Sequence, residues 1–143
     1  MSDHCAVFYL PPADRQMRKL AKQDPKRFAI VDGRIRQVEE DGWILSTRSE
    51  LVKVLRSDLC IGEIRDPGSG GWRLFFFWVD GEEAKELYVT QARPKSDVVA
   101  KARLNDVIAA VAKVRQRFLS EEKDHVAERS RGFGPGPRRR GEE

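Results

Sequence analysis

One run of residues limits the fold of this chain more than any other: Trp72-Arg73-Leu74-Phe75-Phe76-Phe77-Trp78-Val79. Six consecutive residues in it, Leu74 to Val79, are apolar, against the roughly 20 that a membrane-spanning helix needs. Turn signals bound the run, with Asp66-Pro67-Gly68-Ser69-Gly70-Gly71 before it and Asp80-Gly81 after it. A strand this apolar hides both of its faces, one in the core and the other under a helix. Its aromatic residues therefore read as core and not as platforms on which bases stack.

The flanking segments are strands of the ordinary half-buried kind. Ile61-Gly62-Glu63-Ile64-Arg65 alternates apolar with polar, and Glu86-Leu87-Tyr88-Val89-Thr90 forms a third run. Connections this short join antiparallel neighbours. Upstream, Cys5 to Leu10 reads as a short strand closed by Pro11-Pro12, after which Ala13, Met17, Leu20 and Ala21 share a helical face. Asp24-Pro25 marks a second helix start, and Phe28, Val31, Ile35 and Val38 recur at helical spacing until Gly42. Residues 50–59 have no clear period. A last helix is expected from Ser96-Asp97, with Val99, Leu104, Val107, Ile108, Val111, Val114 and Phe118 as its stripe. The expectation is a small α+β domain: strand, helical hairpin, three antiparallel strands, helix.

The domain is expected to fill residues 1–120, and residues 121–143 to form a polar helix extension and a disordered basic tail. In that tail Arg138, Arg139 and Arg140 form a cationic arm suited to a phosphate backbone, or else a solubilising end. The 27 Lys and Arg against 23 Asp and Glu leave a net charge of +4, which fits an anionic partner without requiring one. With two cysteines and two histidines, and no CxxC spacing, neither a metal site nor a disulfide framework is expected. Met1-Ser2-Asp3-His4 has no basic n-region, so the expected location is the cytoplasm, with no membrane association.

Three passages carry a resemblance. They are Leu51-Val52-Lys53-Val54-Leu55 with Leu59-Cys60-Ile61-Gly62-Glu63-Ile64-Arg65, then Gly71-Trp72-Arg73-Leu74-Phe75-Phe76, then Glu86 to Lys95. In order and spacing they resemble the RelE/ParE toxin superfamily, most closely its HigB-like branch with phage-derived relatives. The resemblance implies a toxin of a toxin–antitoxin system, an endoribonuclease cutting mRNA at the ribosome, and a small antitoxin as partner. ParE-type relatives poison DNA gyrase instead. The implied alternative is a non-catalytic protein on the same fold that binds gyrase, another protein or nucleic acid. Tyr88 and Thr90 stand where HigB-like proteins often carry His and an aromatic residue, which suits that alternative.

RNA cleavage of this type needs no metal or cofactor. The 2′-OH attacks the neighbouring phosphate, a base takes its proton, an acid protonates the departing 5′-oxygen, and cations stabilise the phosphorane. The resemblance puts Arg65 and Arg73 at the phosphate, Lys53 or Tyr88 at proton transfer, and Arg93 and Lys95 along the RNA. From the residues alone, alternation places Ile61, Glu63 and Arg65 on one face, and the following hairpin brings Arg73 beside Arg65. Such a pair is either a phosphate clamp or a solvated strand face neutralised by Glu63 or Asp66.

Overall fold

The structure, a computed structural model, describes residues 3–66, 71–98 and 100–120. The expected turn at residues 67–70, the stripe position Val99 and the extension and tail at 121–143 lie outside the described residues.

Strand β1 (Cys5–Tyr9) leads into helix α1 (Pro11–Gln23), whose first turn holds both prolines, where no N–H needs an intrahelical partner. Asp24 then caps helix α2 (Pro25–Arg48), its carboxylate accepting the Arg27 N–H at 3.1 Å. The helix breaks at Gly42, where the sequence places its end, but a further stretch follows. Gly42 has φ 85 and ψ 176, and helix resumes as far as Arg48. Asp3 makes the restart feasible: its carbonyl accepts the Trp43 N–H and its carboxylate the Ile44 N–H, each at 2.9 Å. Two donors that a new helix start leaves open are thereby satisfied.

Among the described residues four strands follow, not three: β2 (Val52–Arg56), β3 (Ile61–Arg65), β4 (Trp72–Asp80) and β5 (Lys85–Pro94). β2 escapes the sequence because its register shifts between Val54 and Arg56, which breaks the alternation. The sheet order is β1-β5-β4-β3-β2, and the last four strands form an antiparallel meander. β1 pairs with β5 in parallel, so the sheet is mixed and not wholly antiparallel. The two helices between β1 and β2 are long enough to return the chain in either direction, and no short turn declares the orientation.

Helix α3 is Lys101–Ser120. Its start is later than expected, because Lys95–Asp97 forms a separate turn of 3-10 helix. Two cores result, one on each face of the sheet. Met17, Val31, Ile35 and Val38 of the helical pair pack against Ile64, Leu74, Phe76 and Trp78. Val107, Val111 and Phe118 of α3 pack against Ile61, Phe75, Phe77 and Tyr88. Phe75, Phe76 and Phe77 are fully buried, as the doubly hidden strand requires. The molecule is an α+β fold with helices on both faces of its sheet. Among the described residues no helix is long and apolar enough to cross a membrane.

Candidate functional site

Strand register decides which charged side chains meet. Arg65 on β3 lies directly opposite Arg73 on β4, and Arg73 directly opposite Arg93 on β5. One step along, Lys53 on β2 pairs with Glu63 on β3, and Glu63 with Phe75. Glu63, Arg65 and Arg73 stand at two-residue steps from Ile61, Phe75 and Phe77, so they belong to the face that α3 covers further along the strands. Three arginines thus form a row at the end of the sheet.

The row has an internal counter-ion. A Glu63 carboxylate oxygen lies 3.6 Å from Arg65 Nε and 3.9 Å from Arg73 Nε. Both separations are too long for hydrogen bonds, so the contacts are charge contacts. Arg73 Nη1 donates instead to the carbonyl oxygens of Trp72 at 3.3 Å and Asp66 at 3.4 Å. Asp66 adds only a minor attraction at Arg73, after that of Glu63. The Asp66 carboxylate faces the other way and pairs with Arg27 of α2 at 3.0 Å. Arg65 has a second carboxylate nearby, that of the exposed Glu50 at 3.7 Å.

Both ends of this contact are desolvated. Glu63 is 7% exposed and Arg73 6%. Burial pushes the Glu63 carboxyl above its ordinary range, against the opposing pull of Arg73, Arg65 and Lys53. Burial likewise pushes the Arg73 guanidinium below its ordinary value, which Glu63 partly offsets. A carboxylate poised between cations, and easier to protonate than usual, is chemically equipped to accept a proton. From the sequence Glu63 reads only as a neutraliser. The signal for more was its place in Ile61-Glu63-Arg65, which puts it on the arginine face.

The other expected site residues are distributed unevenly. Lys53 is exposed on edge strand β2, across from Glu63. Arg93 is half-buried, and its Nε donates to Gln91 at 2.8 Å. Lys95 is exposed just past β5. Tyr88 is not brought to the arginines. It pairs with Phe77, roughly 15 Å along β5 from Arg93, and is 3% exposed. Its ring sits among Phe8, Phe77 and Phe118, with its hydroxyl donating to Glu86 at 2.9 Å. A tyrosine with that much apolar contact is a core residue with a satisfied polar tip. Arg138, Arg139 and Arg140 lie outside the described residues.

Beside Arg65 and Arg73 opens a cleft of about 490 Å³. Arg34 of α2 and Lys95 bring two more cations to its wall, with Ser49 and Glu50 on the loop after α2. Among the described residues no group of three or more His, Cys, Asp or Glu side chains gathers as a metal site would.

No family model matches this chain, and no curated protein does. Among solved structures it is similar to a YoeB/ParE toxin from Agrobacterium tumefaciens, at 12% identity and a TM-score of 0.42. The similarity covers 64% of this chain and 96% of that one. A likeness this loose decides nothing about activity.

Proposed function

We propose that this protein is a RelE/ParE-type toxin of the HigB-like branch, a metal-independent endoribonuclease that cuts mRNA at the ribosome and is held in check by an antitoxin. The observation that carries the reading is the Arg65–Arg73 pair, in register on adjacent strands with the buried Glu63 carboxylate between them. Two planar guanidinium forks at one place suit a phosphate group and the extra charge it gains as a phosphorane. Glu63 takes the proton of the attacking 2′-OH. Lys53, opposite Glu63, donates to the departing 5′-oxygen. The P–O5′ bond breaks as the 2′-oxygen bonds to phosphorus, leaving a 2′,3′-cyclic phosphate and a 5′-hydroxyl. Tyr88 takes no part, since its hydroxyl is engaged under α3. Arg93 and Lys95 extend the cationic surface along the RNA, and the arginines of the tail add an unspecific hold.

Pulse expression in a bacterial host, with 5′ ends of transcripts mapped alongside growth, tests this. The expected result is growth arrest with new cuts inside translated regions. Replacing Arg65 or Arg73 by Ala is expected to cut the cleavage rate about 100- to 1,000-fold, the usual cost of losing one oxyanion-stabilising donor. Arrest that persists in the double variant with intact transcripts would overturn the catalytic reading.

A specific observation favours a second reading, that of a binding protein. The carboxylate already offsets part of the arginines' charge, and Lys53 is exposed, so the charge pattern is also that of a docking surface. Under this reading expression leaves transcripts whole, and the arginine variants lose a captured partner such as gyrase.

A further inference from the structure

The cleft beside the arginine row has a charge balance of its own. Arg34, Arg65, Arg73 and Lys95 line it, against Glu50 on its wall and Glu63 behind the two arginines. Among the described residues four cations here face two carboxylates, an excess of two positive charges, with nearby Asp66 paired to Arg27. A phosphodiester inside an RNA chain carries one negative charge, whereas a terminal phosphate carries close to two at neutral pH, its second pKa being about 6. Arg34 adds a second indication. Its Nε is buried yet has no hydrogen-bond acceptor among the described residues, although buried donors are nearly always paired. An anion in the cleft would supply one. At about 490 Å³ the space falls within the range of small-ligand sites, and the Ser49 hydroxyl offers a neutral partner for a ligand hydroxyl.

We propose that this cleft is a phosphomonoester site, built for the doubly charged phosphate at a nucleotide end and not for the backbone of an uncut chain. It shares Arg65 and Arg73 with the proposed reaction, so a bound monoester competes with RNA. Occupancy does not require that any RNA be cut, and the site stands or falls separately from the nuclease reading. Such a ligand has two sources, the 3′-phosphate of a cleaved chain and a free mononucleotide.

Titration calorimetry on the full chain tests the site with adenosine 3′-monophosphate, inorganic phosphate, a 3′-phosphorylated tetranucleotide and the diester dinucleotide ApA. Both monoesters are expected to bind at least about 10-fold more tightly than ApA, a gap that narrows below about pH 6 as the second proton returns. Arg34→Ala with Lys95→Ala is expected to lower monoester affinity about 10-fold and to lower ApA affinity by less, since a singly charged diester draws less on the two cations. Lys95→Ala alone keeps the test valid if the Arg34 change disturbs folding, because Lys95 is exposed. Tighter binding of the tetranucleotide assigns the site to chain ends, and equal binding assigns it to free nucleotides. ApA binding as tightly as the monoesters, or variants that bind as the parent does, would overturn the proposal. Transcript cleavage without monoester binding would sink this site alone, and binding without cleavage would sink only the nuclease.

Discussion

Glu63 offers the sharpest test at the scale of single residues, because its burial and its neighbours pull in opposite directions. Desolvation wins, so the folded protein holds the Glu63 proton more tightly than the unfolded chain does. The group's contribution to stability is then fully present below the ordinary carboxylate value of about 4.5 and is lost as pH rises through the raised folded value. Glu63→Gln, which keeps the shape and removes the charge, is therefore expected to melt at a higher temperature than the parent at pH 7, with the gap closing towards pH 4. Paired thermal melts across that range check it, and a variant less stable at pH 7 than at pH 4 relative to the parent would reverse the sign. The same variant should lose RNA cleavage, which separates an effect on chemistry from one on folding. Cys5 makes a second test. Buried in β1 and beside Asp3, its thiol is pushed up to about 12 and stays protonated at ordinary pH. The half-buried Cys60 sits in a left-handed turn at φ 56, outside any strand. Iodoacetamide at pH 8, read by mass spectrometry, should label Cys60 well before Cys5 in native protein and both alike in denaturant.

Helix α2 shows how differently two glycines serve one element. At Gly33 an added Cβ would meet nothing within 4 Å, and the position is exposed within the helix. Gly33→Ala should stabilise by about 0.8–1 kcal/mol, the difference in helix propensity. At Gly42 the backbone is left-handed, and a Cβ would come within 2.9 Å of the Asp3 carbonyl oxygen, the atom that accepts the Trp43 N–H. Gly42→Ala should destabilise by about 1–3 kcal/mol through strain and loss of that cap. Urea denaturation of both variants gives the contrast directly, and equal shifts would show that the break is not held by Asp3. The sequence revealed this helix through Asp24-Pro25 and its apolar spacing, and Gly42 as its interruption. It did not reveal the restart, because the capping residue, Asp3, lies 41 positions before Ile44, ahead of β1. The strands divide in the same way: β3 announces itself by alternation and β4 by an apolar run between turn residues, and β2 hides because a bulge breaks its period. In the candidate site, the Arg65–Arg73 pairing followed from a hairpin read locally. Tyr88 was misplaced because its neighbour Phe118 arrives from a helix thirty positions away in the chain. Arg34 went unnoticed for a like reason, since it reaches the cleft from α2.

Across the whole molecule the two faces of the sheet are covered unequally, and this places the weakest element. The helical pair shares a continuous core with β1, β3, β4 and β5, and Arg27 of α2 is tied to the buried Asp66. Among the described residues α3 is the one long helix on the opposite face, held by Val107, Val111 and Phe118 over Phe77 and Tyr88. Phe118 lies 5.3 Å from Phe77 and 4.6 Å from Tyr88, ring centre to ring centre, near the end of its helix. Opening of α3 should thus cost less than global unfolding, and its amides should exchange hydrogen faster than those of α2 before Gly42 and of β4. Phe118→Ala removes the aromatic anchor and should destabilise the protein by about 3 kcal/mol, the low end for a buried Phe because the site borders solvent. In hydrogen exchange read by mass spectrometry, the variant should speed exchange in α3 well beyond its effect on α1 and α2. The arginine row lies past the covered part of this face, at the ends of β3, β4 and β5. Monoester affinity should therefore survive Phe118→Ala under conditions where the variant remains folded. Loss of that affinity in parallel with faster α3 exchange would mean that α3 holds the cationic cleft in shape as well as covering its own core.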